Sequence, residues 1–202
     1  MNLLSIKKLH FLHCGPIELK LKATEIIGLS GASGSGKSLF LRALADLDAH
    51  QGEIRLDEFN QQDIQAHLWR QKVALLSADT SWWFDTVGEH FSAQFMSDST
   101  QQLEALGFKE GCWHWSIARL SSGEKQRLGL LRLLQNQPEV LLLDEPTANL
   151  DKHNTQLFEN FVKKYLQEKS ACAIWVGHNS EQLQRISQRN YVIDKGVLAN
   201  AN

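Results

Sequence analysis

A glycine-rich segment near the N-terminus constrains the fold of this chain more than any other feature. Residues 31–38 read Gly-Ala-Ser-Gly-Ser-Gly-Lys-Ser and fit the pattern G-x-x-x-x-G-K-[ST]. They follow an apolar segment, residues 25–29, that predicts a strand, and they lead into an amphipathic helical pattern that begins near Ser38. A strand, a glycine turn and a helix in this order predict a loop whose backbone N–H groups converge on a phosphate.

The periodicity of the remaining chain predicts an α/β fold. Alternation of apolar and polar residues from Ile17 to Lys22 predicts a half-buried strand. The segments around residues 140 and 174 are apolar enough to be buried on both faces, as in a parallel sheet. Between about residues 79 and 135 helical patterning and several tryptophans replace the strand pattern, which predicts a small helical subdomain inserted into the sheet domain. Further strands are predicted at residues 52–56, 72–76, 139–143, 171–176 and 190–193.

Composition argues against several classes of protein. With 21 Lys and Arg against 23 Asp and Glu, the formal net charge is -2, which disfavours a nucleic-acid-binding protein held by bulk electrostatics. Cys14, Cys112 and Cys172 lie far apart without C-x-x-C spacing, so we expect buried, reduced thiols rather than a disulfide frame or a zinc site. No segment has a leader pattern or approaches the roughly 18 apolar residues of a membrane span. We therefore expect a soluble chain whose membrane role depends on a partner.

The phosphate loop and a second motif together predict a site for a nucleotide and Mg²⁺. Lys37 would bring a mobile positive charge to the phosphates, and the Ser38 hydroxyl would ligate Mg²⁺. Residues 140–145 read Val-Leu-Leu-Leu-Asp-Glu, a buried strand that ends in two acids where ligands bind in open α/β sheets. Asp144 would lie on the Mg²⁺ side, and Glu145 would act as general base on the attacking water. Contacts to the nucleotide are predicted from Gly31, Ala32, Ser33, Gly34, Ser35, Gly36, Lys37, Ser38 and Leu39.

Three further motifs follow the phosphate loop along the chain. Residues 120–127 read Leu-Ser-Ser-Gly-Glu-Lys-Gln-Arg, a small-residue turn before an amphipathic helix. Residues 144–151 read Asp-Glu-Pro-Thr-Ala-Asn-Leu-Asp, and His178 follows the predicted strand that ends at residue 176. With the phosphate loop, these motifs resemble the nucleotide-binding subunit of an ABC transporter over essentially the whole chain. The family signature is usually L-S-G-G-Q, so Ser122 replaces a glycine and Glu124 replaces a glutamine.

The resemblance implies a fold and an activity. The fold is that of a P-loop NTPase, α/β, with a mostly parallel core sheet, an N-terminal antiparallel β subdomain and a small inserted helical subdomain. Residues 1–202 would form a single ABC ATPase domain, in which 1–78 and 136–202 make the RecA-like core with the β subdomain and 79–135 make the helical subdomain. The activity would be ATP hydrolysis that powers a permease encoded on a separate chain.

The resemblance also implies that the site is shared by two copies of the chain. In the ATP-bound homodimer, each ATP would lie between the phosphate loop of one copy and the signature turn of the other, contacted by Ser121, Ser122, Gly123 and Glu124. Asp151 would lie at the dimer seam, and His178 would act with Glu145 by hydrogen-bonding the γ-phosphate. The subunit would be cytoplasmic and bound peripherally to an integral membrane permease. The runs at 122–127 and 175–178 are most similar to the short ATPases of iron-efflux and related export systems.

Two positions depart from the family pattern. Counting back from residues 85–87, the glutamine that normally senses Mg²⁺ and the attacking water falls on Ala78, whose methyl group cannot do so. Asp79 or Ser77 would substitute after a local slip, or hydrolysis would be slow. The aromatic residue that would stack on adenine falls at His13 or Phe11. We assign the role to His13, which offers a flat ring, although Phe11 could equally be core.

Residues 82–84 read Trp-Trp-Phe, in the region that in this family receives the permease. Three adjacent aromatic side chains cannot all point into one core, so at least one is expected to face outward and form part of a partner surface. The alternative is a packed subdomain core with one ring half exposed. Trp113 and Trp115 are predicted to be core.

Two other functions compete with the transporter subunit. An ABC-type ATPase of translation or DNA repair would act without a membrane, but such chains carry two cassettes or a long coiled coil. Here one cassette is present, and only 107 residues separate Lys37 from Asp144. A P-loop kinase of similar size would have no use for the signature turn or for His178.

Overall fold

Two sheets carry the ten strands that the computed structural model assigns in its described residues, 2–201. A four-stranded antiparallel sheet has the order β2-β1-β4-β5, and a six-stranded sheet has the order β10-β9-β3-β8-β7-β6. Strands β9, β3, β8, β7 and β6 run parallel, and β10 pairs antiparallel with β9. The strands are β1 (Asn2–Phe11), β2 (Cys14–Lys22), β3 (Ile26–Ser30), β4 (Gln51–Leu56), β5 (Phe59–Asn60), β6 (Val73–Leu76), β7 (Val140–Asp144), β8 (Cys172–Val176), β9 (Arg189–Asp194) and β10 (Val197–Asn200).

Helices connect the parallel strands and fill the middle of the chain. They are α1 (Lys37–Leu44), α2 (Ala66–Lys72), α3 (Ala93–Asp98), α4 (Thr100–Ala105), α5 (Ser122–Leu134), α6 (Lys152–Lys169) and α7 (Ser180–Ile186). Short 3-10 turns lie at Gln61–Asp63, Gly88–His90, Glu110–His114 and Ile117–Arg119. The longest helix, α6, follows β7 and returns the chain to β8, as a crossover between parallel strands requires.

The core lies on both faces of the parallel sheet. Strand β8 is buried along its whole length, and β7 is buried except at its terminal residue, Asp144. On one face Trp175 meets Phe158 of α6 edge to face, with ring centroids 5.7 Å apart. On the other face Phe40 of α1 is buried in the same apolar cluster as Leu142 and Ile174. Burial on both sides explains why these two segments read as continuous apolar runs in the sequence.

The predicted fold class is confirmed. The predicted strands agree with β3, β4, β6, β7, β8 and β9 to within one residue at every end. Strands β1, β5 and β10 lie at positions for which the sequence made no strand prediction. The predicted strand at residues 17–22 begins earlier, at Cys14, because it pairs with β1 across a tight turn at residues 12 and 13. The division of the chain at residues 79 and 135 stays a prediction.

The three cysteines are buried and not paired with one another. Burial raises the pKa of the thiols of Cys14 and Cys172, and it raises the pKa of Cys112 to about 11. They therefore behave as small apolar residues. No helix within residues 2–201 is long and apolar enough to cross a membrane.

Candidate functional site

The phosphate loop joins β3 to α1 through glycines with positive φ. Gly34 and Gly36 have φ of 76° and 104°, a region that strains any residue with a Cβ. Helix α1 begins at Lys37, so its first free N–H groups face the loop. The Lys37 ammonium folds back over the loop and donates to the carbonyl oxygens of Gly31 and Ala32, at 2.9 Å each, with only 6% of the residue exposed. These contacts hold a positive charge over the concave side of the loop.

The β1–β2 hairpin packs against this loop. A Cβ placed on Gly36 would lie 2.9 Å from the sulfur of Cys14, so the close approach requires glycine. Phe11 is 3% exposed, and its ring lies 6.0 Å from that of Phe40. The core therefore uses Phe11, and this residue is not available to stack on a base. His13 lies exposed in the turn and keeps the predicted role as a proposal.

Two acids end β7 beside the phosphate loop. The Asp144 carboxylate lies close enough to Ser38 and Lys37 for both side chains to affect its pKa. Burial raises the pKa of Asp144, as does the neighbouring charge of Glu145, while Ser38 and the Lys37 ammonium oppose the rise. A bound cation would stabilise the charged form of this half-buried carboxylate, which burial and the neighbouring Glu145 charge both disfavour.

Glu145 and His178 are brought together by neighbouring parallel strands. Asp144 pairs with Val176 at the ends of β7 and β8, so the residues that follow each strand meet at one edge. Nε2 of His178 lies 2.8 Å from Oε1 of Glu145. Glu145 has φ of 47°, and its N–H donates to the carbonyl of Val176 at 3.1 Å. The left-handed backbone is unusual for a glutamate and turns its carboxylate toward the histidine.

A buried polar network that sequence reasoning missed supports this pair. The Gln182 amide donates to the hydroxyl of Thr147 at 2.9 Å and to the carboxylate of Glu159 at 2.7 Å. Arg185 donates to the same carboxylate at 2.7 Å, and Glu159 is only 4% exposed. The network ties α7, which follows His178, to α6 and to the loop after Glu145. A polar residue at a core-facing helix position was the available signal, but its partners lie more than 20 residues away in the chain.

The signature turn caps α5. Ser121 is the N-cap: its hydroxyl accepts from the N–H of Glu124 at 3.2 Å, and the Glu124 carboxylate accepts from the N–H of Ser121 at 2.9 Å. This capping box explains why an acid is tolerated where the family usually has glutamine. A Cβ on Gly123 would lie 2.9 Å from the carbonyl oxygen of Asn149. The turn therefore packs on residues 148–150, and Ser121 and Ser122 stay exposed.

Asp151 begins α6 as its N-cap. Its carboxylate accepts from the backbone N–H and the side-chain amide of Asn154, both at 2.8 Å. The backbone hydrogen bond is the largest cause of the lowered pKa of Asp151. The carboxylate is exposed, so it faces solvent next to the signature turn.

Ala78 and Asp79 are both exposed, in the loop after β6. The loop is anchored at Ser77, whose carbonyl accepts from the Gln126 amide of α5 at 3.2 Å. Asp79 lines a groove of about 500 Å³ that also includes Leu47, Arg70 and Trp83. The proposed substitution of Asp79 for the missing glutamine stays a prediction.

The aromatic turn, residues 82–84, is partly exposed. Trp83 and Phe84 are 64% and 49% exposed. Trp82 is half-buried against the apolar core that contains Trp175. Trp113 and Trp115 are also half-buried against this core, with edge contacts to the rings of neighbouring phenylalanines. The expectation that one of the three adjacent rings faces outward agrees with this exposure.

Comparison with known proteins identifies the family. A family model described as "ABC transporter" matches residues 14–148. The "Probable iron export ATP-binding protein FetA" of Escherichia coli (strain K12) is 30% identical over 176 residues, covering 83% of this chain and 78% of that protein. The "Aliphatic sulfonates import ATP-binding protein SsuB 3" of Pseudomonas savastanoi pv. phaseolicola (strain 1448A / Race 6) is 31% identical over 188 residues, covering 90% and 67%.

A solved structure has the same fold. The dimeric ATP-binding cassette MJ0796, in a post-hydrolysis state bound to ADP and Pi, superposes with a TM-score of 0.81 at 20% identity and covers 98% of this chain and 99% of that chain. The shared fold, the family match and the phosphate loop agree with one another. The chain therefore belongs to the ABC transporter family, as an ATP-binding subunit that hydrolyses ATP.

Proposed function

We propose that hydrolysis is carried out by a pair of residues, Glu145 and His178, beside the phosphate loop. The observation that carries this proposal is the 2.8 Å contact between them at the ends of β7 and β8. Lys37 and the backbone N–H groups of the loop bind the phosphates of ATP. Glu145 accepts the proton of the attacking water, and His178 orients the carboxylate and contacts the γ-phosphate.

Mg²⁺ fits the residues beside the loop. The Ser38 hydroxyl and the Asp144 carboxylate are neighbours, and both are hard oxygen ligands of the kind Mg²⁺ prefers. No group of three or more His, Cys, Asp or Glu residues that could hold a metal ion occurs in the described part of the chain, residues 2–201. A Mg²⁺ ion that takes one or two protein ligands, with phosphates and waters for the rest, agrees with such a site. Bound there, it would neutralise phosphate charge.

The ATP-bound state is proposed to be a homodimer. Ser121 and Ser122 are exposed at the N-terminus of α5, where the free N–H groups attract an anion. They fit the γ-phosphate of an ATP held by a second copy, with Asp151 at the seam. The dimeric arrangement of the MJ0796 cassette supports this assembly.

The membrane partner is proposed to be an integral permease, with this subunit on its cytoplasmic face. The groove beside the aromatic turn supports the proposal, because it combines exposed apolar side chains with Arg70 and Arg132, against a single acid, Asp79. A short permease segment with apolar side chains and a carboxylate would match this lining. We propose residues 79–135 as the helical subdomain, which contributes half of the residues that line this groove. The relatives include iron-export and sulfonate-import proteins, so family membership does not fix the cargo, which the permease would select.

Replacing Glu145 by glutamine tests the proposed base. The amide cannot accept the proton, so we expect turnover to fall by about 10²- to 10⁴-fold while MgATP still binds. The variant should accumulate as an ATP-bound dimer, measured by light scattering after size-exclusion chromatography. Glu181→Gln, an exposed glutamate on α7, is the matched control and should keep full turnover. Near-normal phosphate release by Glu145→Gln would show that another group is the base.

A further inference from the structure

His90 lies at the centre of the aromatic turn and holds it with both ring nitrogens. Its Nε2 lies 3.1 Å from the backbone nitrogens of Trp83 and of Phe84, and its Nδ1 lies 2.9 Å from the carbonyl oxygen of Thr86. A carbonyl can only accept a hydrogen bond, so the ring proton is on Nδ1, and two N–H donors require a lone pair on Nε2. The hydrogen-bond network thus assigns the neutral Nδ1–H tautomer to His90.

The same imidazole packs against all three rings of the turn. The centroids of Trp82, Trp83 and Phe84 lie 4.8, 4.9 and 5.1 Å from the His90 ring, each at a steep interplanar angle. His90 is only 6% exposed, although two of the rings around it are at the surface. The three aromatic side chains of the turn therefore pack around the buried imidazole of His90.

Helix α5 anchors this cluster from its C-terminal end. The Gln135 amide donates to the carbonyl oxygen of His90 at 3.2 Å. The Arg132 guanidinium donates to the carbonyl oxygen of Ser81 at 2.8 Å and lies 4.4 and 4.6 Å from the ring centroids of Trp82 and Trp83. Trp83 and Phe84 are thus exposed side chains on a fixed backbone, which is the arrangement of a preformed docking surface.

The charged groups around His90 are few. Arg132 faces it from α5, and Glu89 lies on its own 3-10 turn with its carboxylate bound to Thr86; the aromatic rings and Gln135 bring no charge. Burial, joined by the positive charge of Arg132, lowers the pKa of His90 below its ordinary 6.5. The Thr86 carbonyl and Glu89 oppose this lowering only in part. His90 is therefore neutral at neutral pH.

We propose that neutral His90 is the positioning residue that fixes Trp83 and Phe84 on the surface where the permease docks. That a permease docks on this surface rests on the proposed function. The hydrogen bonds by which His90 holds the aromatic turn do not depend on it. A proton on Nε2 would face two N–H groups and break both hydrogen bonds. Since the folded state lowers the pKa of His90, these bonds are intact above pH 6.5 and are lost only as the pH falls through the lowered pKa of the folded state.

Nuclear magnetic resonance of the isolated chain with ¹⁵N-labelled histidine tests whether His90 holds the aromatic turn through these hydrogen bonds. We expect His90, assigned by loss of its signals in His90→Gln, to show the Nδ1–H tautomer and a titration midpoint below 6.5. Quenching of tryptophan fluorescence by acrylamide should increase over the same pH range. His114→Gln, which removes an exposed histidine of the neighbouring 3-10 turn, should change neither result. An Nε2–H tautomer, or a midpoint at or above 6.5, would overturn the proposal.

Binding to membrane vesicles tests the docking. The probe is an inside-out vesicle preparation from the native membrane, stripped of peripheral proteins, and liposomes of the extracted lipids serve as comparison. The wild-type chain and His114→Gln should bind the vesicles and not the liposomes near pH 7.5, and wild-type binding should weaken as the pH falls toward 5.5. His90→Gln and Trp83→Ala should bind about tenfold more weakly, with ATP affinity close to wild type.

The two failures can be told apart. If Trp83→Ala binds weakly but His90→Gln binds as the wild type does, the surface docks a partner and His90 does not position it. If both variants bind as the wild type does, or if liposomes bind equally well, the proposed permease surface is wrong. In that case the tautomer and the titration midpoint still decide whether His90 holds the aromatic turn.

Discussion

The backbone of Glu145 is strained, and its carboxylate contacts His178. A non-glycine residue in the left-handed region costs about 1–3 kcal/mol, so the surrounding structure must hold it there. The hydrogen bond from its N–H to Val176 and the contact with His178 do so. Sequence alone placed Glu145 at a strand end, but only the backbone geometry points the carboxylate at His178.

Lys37→Ala should weaken ATP binding itself. The ammonium is the one side-chain cation folded over the phosphate loop among residues 31–38, and its removal leaves phosphate charge less neutralised. We expect the dissociation constant for MgATP to rise at least about tenfold, equivalent to about 1.4 kcal/mol, in calorimetric titration. Lys164→Ala, on the exposed side of α6, should leave the affinity unchanged. Equal affinities for the two variants would mean that the loop does not cradle the phosphates.

Ala78→Gln should raise turnover several-fold at saturating MgATP with little change in ATP affinity. The restored amide would order the attacking water and so act on the reaction more than on binding. If Asp79 has taken over this role, the outcome reverses: Ala78→Gln is neutral or harmful, and Asp79→Ala stops turnover. Measuring phosphate release for both variants distinguishes the two mechanisms. No effect from either would show that neither residue lies near the γ-phosphate.

Helix α7 shows how one short element positions a proposed catalytic side chain. It begins two residues after His178, with Asn179 as its N-cap, and its first turn carries Gln182. Through Gln182 the helix is tied to Thr147, two residues after Glu145, and to Glu159 of α6. The segments that carry Glu145 and His178 are thus fixed to each other by hydrogen bonds as well as by the sheet.

Gln182→Met should lower kcat more than it changes KM. Methionine keeps the volume of glutamine but cannot join Thr147 to Glu159, so the His178 loop would shift relative to Glu145. A misplacement of this kind costs about tenfold to a hundredfold in rate, and KM for ATP should stay within a factor of about two because the phosphate loop is untouched. Gln184→Met, at an exposed position two residues further along α7, is the matched control. A loss of thermal stability with kcat unchanged would assign Gln182 a purely structural role.

At the scale of the whole molecule, α5 joins two surfaces. Its 13 residues span about 20 Å, with the signature turn at the N-terminus and the anchors of the aromatic turn at the C-terminus. A permease that moved the aromatic turn would thereby move the signature turn as a rigid body. The proposed dimer interface and the proposed permease surface therefore lie at opposite ends of α5.

Glu124→Gln should favour the ATP-bound dimer. The Glu124 carboxylate lies 2.9 Å from the Ser121 hydroxyl, where it would repel the γ-phosphate of the partner's ATP. We expect a larger dimer fraction at a given ATP concentration, measured in the Glu145→Gln background by analytical ultracentrifugation. The gain should shrink from 0.1 M to 1 M salt, as the screening length falls from about 10 Å to about 3 Å. Glu104→Gln, an exposed glutamate on α4, should have no effect. A smaller dimer fraction would mean that Glu124 helps to present Ser121.

The sequence alone determined the features that depend on neighbours along the chain. The phosphate loop, the acid-ended strand and the apolar core strands are local patterns, because backbone φ preferences and the two-residue or 3.6-residue period act within a few residues. The internal strand β1 and the edge strands β5 and β10 were missed, because their formation depends on a partner strand rather than on their own pattern. The tertiary structure decided that Phe11 is core and that His90 lies within the aromatic turn. It also joined Gln182 to Glu159, because contacts between distant residues follow from packing and leave no local signal.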